Sequence, residues 1–159
     1  MKVYISVDIE GVAGVIDRSQ GMVDGGHAFE LGRALMMGET NAAIEGALAA
    51  GATEIVVNDS HAVMRNLLPT QLHPKATLIQ GRIKNWFMVE GLDETFDAVM
   101  LVGYHAPAGV RDGVLNHAFH PLRVALQRAG LERDWADGVG CRTFRRAGRA
   151  GDWRRCGRS

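Results

Sequence analysis

The apolar positions of this chain fall first into a short strand pattern. Lys2-Val3-Tyr4-Ile5-Ser6-Val7 is a β-branched and aromatic run that stops at Asp8, which predicts a buried strand. Gly11 and Gly14 interrupt it. From about residue 28 to 50 helix formers take over, with Met37, Ile44 and Leu48 on one line and Gly51 as a stop. Leu31 and Leu35 project from a different side, which predicts a helix partly covered on two faces. Three more strand patterns follow, at residues 53–58, 76–80 and 97–103. Strand, helix and strand in that order, with near-continuous apolar strands, predict a three-layer α/β/α domain around a mostly parallel sheet.

Composition changes the picture at one place. The chain of 159 residues is 47% hydrophobic and 23% charged, the balance of one folded domain. Its net charge of zero is an average of two unlike parts. Residues 1–120 carry eight lysines and arginines against fourteen acids, whereas residues 121–159 carry ten arginines against four acids. The second part lacks Ile, Met, Tyr and Lys and shows no helix or strand period, so it is expected to be a poorly ordered tail. Its arginines, with Trp135, Phe144 and Trp153, would suit nucleic acid, but the loss of all pattern argues against a selected binding module. A stretch read in a shifted frame fits the composition equally well. The body, residues 1–120, is thus the expected α/β domain, and it has no run apolar enough to span a membrane. Asp8 lies too early for a signal-peptide core, and both cysteines, Cys141 and Cys156, lie in the tail. A cytoplasmic location is the expectation.

The candidate chemistry lies where the strands stop. The first ends in Asp8-Ile9-Glu10, the second in Asn58-Asp59-Ser60-His61, and the fourth in Gly103-Tyr104-His105. Parallel strands would bring these three ends to the carboxyl edge of the sheet, where open α/β folds place their sites. Side chains two apart in an extended chain face one way, so Asp8 and Glu10 would present two carboxylates together. With His61 and His105 they make a ligand set suited to Zn²⁺, and Asp8 is the natural bridge between two ions. Each residue has an ordinary alternative, as a helix cap, a solvated turn or a surface histidine. Their common position past strand ends is what singles them out. His27, His73 and His120 lack that position and are read as structural or surface residues. No Gly-x-Ser-x-Gly, His-Glu-x-x-His, phosphate loop or dinucleotide fingerprint occurs. Asp59-Ser60-His61 holds triad residue types, but neighbours on one turn seldom form a triad. Residues 113–119 read as a short strand, with Leu115, His117 and Phe119 on one side and His117 half-buried.

Taken together, Ser6-Val7-Asp8-Ile9-Glu10-Gly11, Val57-Asn58-Asp59-Ser60-His61, Met88-Val89-Glu90-Gly91-Leu92-Asp93, Gly103-Tyr104-His105-Ala106 and Val114-Leu115-Asn116-His117 resemble the zinc-dependent D-aminopeptidase family, in its order and spacing. The resemblance runs from residue 1 to about 119. It implies a dinuclear zinc peptidase that releases N-terminal D-amino acids from short peptides and assembles as a homo-oligomer. It implies Asp8, Glu10, His61 and His105 as metal ligands and His117 as the catalytic histidine. Family members carry a further glutamate ligand beyond that histidine, in a Gly-Glu-rich segment. Glu132, Asp134 and Asp137 fall near that place without its flanking residues, so no fifth ligand is assigned and the second metal site is expected to be incomplete. The expectation is therefore a truncated form of the family domain. The alternative is an inactive remnant that serves only as a metal-binding or assembly subunit.

Overall fold

The computed structural model describes residues 1–117, together with the backbone of two short strands at 144–146 and 153–155. Residues 118–120, His120 among them, and the other residues of the expected tail lie outside the described residues. Strand β1 (Lys2–Val7) is followed by helix α1 (His27–Ala49), then β2 (Glu54–Asp59), β3 (Ala76–Ile79) and β4 (Ala98–Val102). Strands β5 (Phe144–Arg146) and β6 (Trp153–Arg155) complete a sheet of order β3-β2-β1-β4-β5-β6. The first four strands are parallel; β5 and β6 add antiparallel pairings. This is the α/β architecture with a mostly parallel sheet that the strand–helix–strand pattern predicts.

Period-two alternation along β1 divides its side chains between two faces. Val3, Ile5 and Val7 pack with Ile55, Val57, Met36, Met37, Ile44 and Ala47, so α1 covers that face. Tyr4 turns the other way and meets Phe96 and Val99, its ring 5.3 Å from the Phe96 ring and nearly perpendicular to it. The Tyr4 hydroxyl donates to the Glu90 carbonyl at 2.7 Å, which satisfies a polar atom that burial would otherwise penalise. Burying each of these large apolar side chains contributes roughly 1.5–3 kcal/mol, and β1, paired on both sides, is the centre of the core.

Two expectations need correction. Leu31 and Leu35 are 51% and 40% exposed, so among the described residues α1 is covered on one face only. Its buried stripe runs through Phe29, Met36, Met37, Thr40, Ile44 and Ala47. Residues 113–117 form turns, and the one pairing there is an isolated bridge between Pro107 and His117. Leu115 has φ +50, a left-handed conformation that no strand accommodates.

Candidate metal centre

Register carries the three strand ends to one place. Val7 lies opposite Asp59 of β2 and Val102 of β4. The pairing continues past the strands through Asp8 N to Val102 O at 2.9 Å and Ser60 N to Val7 O at 2.8 Å. Gly103, at φ +66, lies so close to the Asp8 carbonyl that a β-carbon there would overlap it. The backbones following β1 and β4 therefore meet, and Asp8 and His105 come together with them.

The expected residues converge. His61 Nδ1 is 3.0 Å from Asp8 Oδ1 and 3.1 Å from Glu10 Oε2. His105 Nε2 is 3.9 Å from Asp8 Oδ2, and His117 Nε2 is 3.8 Å from Glu10 Oε1. The His105 and His117 rings stack with centroids 3.7 Å apart. Each carboxylate thus turns one oxygen to His61 and the other to one of the stacked histidines. Asp8 and His61 are buried, while His117 is 43% exposed at the mouth. His27 begins α1, exposed, and His73 accepts from the Lys75 backbone at 3.2 Å. Neither approaches the cluster.

Asp8, Glu10 and His61 offer donor atoms within 4.8 Å of one another, a group that could hold a metal ion. The donor chemistry fits zinc, whose tetrahedral neighbours stand roughly 3.3 Å apart. Glu10 Oε2 is buried and faces His61 Nδ1 at 3.1 Å, so a cation placed between them would meet a carboxylate oxygen and a ring nitrogen together.

Electrostatics point the same way. Burial pulls His61 down, but hydrogen bonds to Asp8 and Glu10 and their charges override it and raise the imidazole from 6.5 to about 10. Burial pushes Glu10 up, and the hydrogen bond and charge of His61 bring it down from 4.5 to about 2. Asp8 is raised, chiefly by burial. In chelator-stripped protein the His61 charge therefore contributes stability that is complete below about 6.5 and lost as pH rises through about 10. Glu10 contributes stability that is present above about 4.5 and lost as pH falls through about 2. The urea midpoint of stripped protein should accordingly fall between pH 6 and pH 9.5. A flat midpoint would show that the carboxylates do not hold this imidazole charged.

Sequence reasoning missed the groups that hold the cluster. The Asp59 carboxylate is fully buried and accepts from the Asn66 backbone at 2.5 Å, the Asn66 amide at 2.8 Å and the Leu67 backbone at 2.8 Å. Asn66 also donates to the His61 carbonyl at 2.7 Å, so Asp59 shapes the His61 loop and is no triad member. Beneath the site the Ser6 hydroxyl lies 2.6 Å from the Ser60 and Tyr104 hydroxyls and from the Met88 carbonyl. This network ties β1, the ends of β2 and β4, and the 87–89 turn together. The polar Ser6 inside an apolar strand was the one available signal.

The arrangement defines an α/β domain with a carboxylate–histidine centre at the carboxyl edge of its sheet. The D-aminopeptidase family model matches residues 1–127, and the chain belongs to that family. It is 47% identical over 119 residues to a D-aminopeptidase of Bacillus subtilis strain 168, a match covering 74% of this chain and 42% of the relative. A solved structure of the zinc-dependent D-aminopeptidase DppA from Bacillus subtilis, described as a self-compartmentalizing protease, is similar with a TM-score of 0.71. That likeness is 45% identical and covers 76% of this chain and 43% of the other. The chain thus spans less than half the length of these relatives. Among the described residues, no helix is long and apolar enough to cross a membrane.

Proposed function

We propose that this chain carries the metal centre of an aminopeptidase that hydrolyses short peptides with N-terminal D-amino acids, using two zinc ions. One observation carries the reading: two carboxylates and three imidazoles turn oxygens and nitrogens toward one spot on the sheet edge. Asp8, Glu10, His61 and His105 would hold the metal, and the two oxygens of Asp8, one toward His61 and one toward His105, would let it donate to both ions. Bound zinc supplies a polarised water and a positive charge for the developing oxyanion. Asp8 and Glu10 keep the centre anionic, and the half-exposed mouth admits a peptide end.

His117 is the proposed proton carrier. Its Nδ1 donates to the Leu115 carbonyl at 2.8 Å, which in the neutral ring puts the lone pair on Nε2, the nitrogen that faces the site. Stacking on His105 fixes the plane of the ring. From there Nε2 takes a proton as the amide is attacked and returns it to the leaving amine. The D preference and a homo-oligomeric assembly draw support from the relatives, and exposed Leu31, Leu35, Ile83 and Trp86 are apolar surface that an assembly would cover. The test is hydrolysis of a matched pair of dipeptides differing only in the chirality of the first residue. Cleavage of the D form, lost on chelation and restored by zinc, is expected. Absence of cleavage with zinc bound, or equal cleavage of the L form, would overturn the reading.

A further inference from the structure

His61 is oriented by a backbone carbonyl, and that carbonyl belongs to a turn with its own dense set of contacts. His61 Nε2 lies 2.6 Å from Gly21 O. A carbonyl oxygen only accepts, so the proton of the neutral ring sits on Nε2 and the lone pair on Nδ1. His105 and His117 are the reverse. Nδ1 of each donates to a carbonyl, of Ala106 at 2.7 Å and of Leu115 at 2.8 Å, which leaves Nε2 bare.

Gly21 closes the single 3-10 turn Arg18–Gln20, its N–H donating to Arg18 O at 3.0 Å. Asp17 Oδ1 accepts from Ser19 N at 2.9 Å and from Ser19 Oγ at 2.5 Å. Gln20 Oε1 accepts from Ile16 N at 2.8 Å and Asp17 N at 3.0 Å, while its Nε2 donates to Gly14 O at 3.0 Å. The turn presses on α1 at Gly32, where any side chain would overlap the Gln20 carbonyl oxygen. On the other side a β-carbon at Gly21 would stand 3.2 Å from Ile9 Cγ2 and 3.7 Å from Glu10 Oε1. The turn is therefore wedged between the helix and the segment that bears both carboxylates.

We propose that the turn from Asp17 to Gly21 is a positioning element for His61: it holds the Gly21 carbonyl so that the imidazole meets a cation between Asp8 and Glu10 only through Nδ1. The proposal rests on the metal-dependent reading above. It makes His61 the Nδ1 ligand of a site whose other imidazoles present Nε2. An outer hydrogen bond of this kind changes metal affinity by about 10- to 100-fold.

The experiment uses the full chain with isotope-labelled histidine and two readouts. Long-range proton–nitrogen correlation spectra identify which His61 nitrogen carries a proton and which shifts when zinc is added. Competition with a chromophoric chelator gives zinc affinity, and thermal unfolding in chelator confirms that each variant folds. Wild type should show a slowly exchanging Nε2 proton and a zinc-shifted Nδ1. Gln20→Ala should bind zinc about 10- to 100-fold more weakly and lose the slow exchange. Gln20→Glu, which keeps the two backbone bonds to Oε1 but loses the donor to the Gly14 carbonyl, should restore part of both. Gly32→Ala, which displaces the Gln20 carbonyl from the helix side, should reproduce the Gln20→Ala result. Zinc on Nε2 of His61, or wild-type affinity in folded Gln20→Ala and Gly32→Ala chains, would overturn the proposal. A wild-type chain that takes up no zinc overturns the metal reading instead. The positioning role then stands if Nε2 exchange is slow in wild type and fast in Gln20→Ala, and falls if the two are alike.

Discussion

Asp8→Ala is expected to remove more zinc than any other single substitution in the cluster. The reason is the division of labour between its two oxygens. Oδ1 faces His61 Nδ1 at 3.0 Å, and Oδ2 faces His105 Nε2 at 3.9 Å. Glu10 also reaches two histidines, but its second oxygen meets the half-exposed His117, where water competes. Loss of Asp8 therefore removes a shared donor from both proposed ion positions, whereas loss of His105 removes a donor from one. Asp8 Oδ1 also accepts the Ile9 backbone N–H at 2.9 Å, so alanine leaves that buried donor unpaired, at a cost of about 1–3 kcal/mol. Metal content after gel filtration should fall toward none in Asp8→Ala, whereas His105→Ala should keep the ion held by Asp8, Glu10 and His61. Equal loss from Asp8→Ala, Glu10→Ala, His61→Ala and His105→Ala would contradict a shared carboxylate.

The parts of this centre that sequence could show are those written in side-chain type and strand period. Val3, Ile5 and Val7 alternate with Tyr4 and Ser6, and Val57 and Val102 close equally clear runs, so the strand ends and the residues just beyond them could be located before any coordinates. Parallel pairing then follows from the intervening helix, and with it the meeting of Asp8, His61 and His105. What stayed hidden is carried by backbone. The Gly21 carbonyl that orients His61 has no signature in residue identity, because every residue offers the same oxygen. Ala62 and Met64, at φ +45 and +57, give the His61 loop its shape where no glycine marks a left-handed turn. Leu115 at φ +50 likewise ends the strand that Val114 and Asn116 suggested. The exposure of Leu31 and Leu35 was illegible for a different reason. A hydrophobic position on a helix does not by itself report burial, because single apolar side chains are ordinary on a protein surface.

His117→Ala is expected to leave zinc content intact and to lower turnover by about 10²- to 10⁴-fold, the usual range for removing a general acid or base. Exposure separates this residue from the four proposed ligands. Its side chain is the most exposed of the three clustered imidazoles, 43% against 18% for His105 and 5% for His61. Its ring is nonetheless held as a reagent would be, by stacking on His105 and by the Nδ1 bond to Leu115 O. A histidine with one nitrogen tied and the other free can cycle a proton without leaving its place, whereas one committed to a metal cannot. Zinc analysis and peptide hydrolysis on the same preparations of His117→Ala, His61→Ala and His105→Ala make the comparison. The two ligand variants should lose metal and activity together. If His117→Ala shed zinc as they do, His117 would be a ligand; if it cleaved peptide at a near-normal rate, the proton would have another carrier.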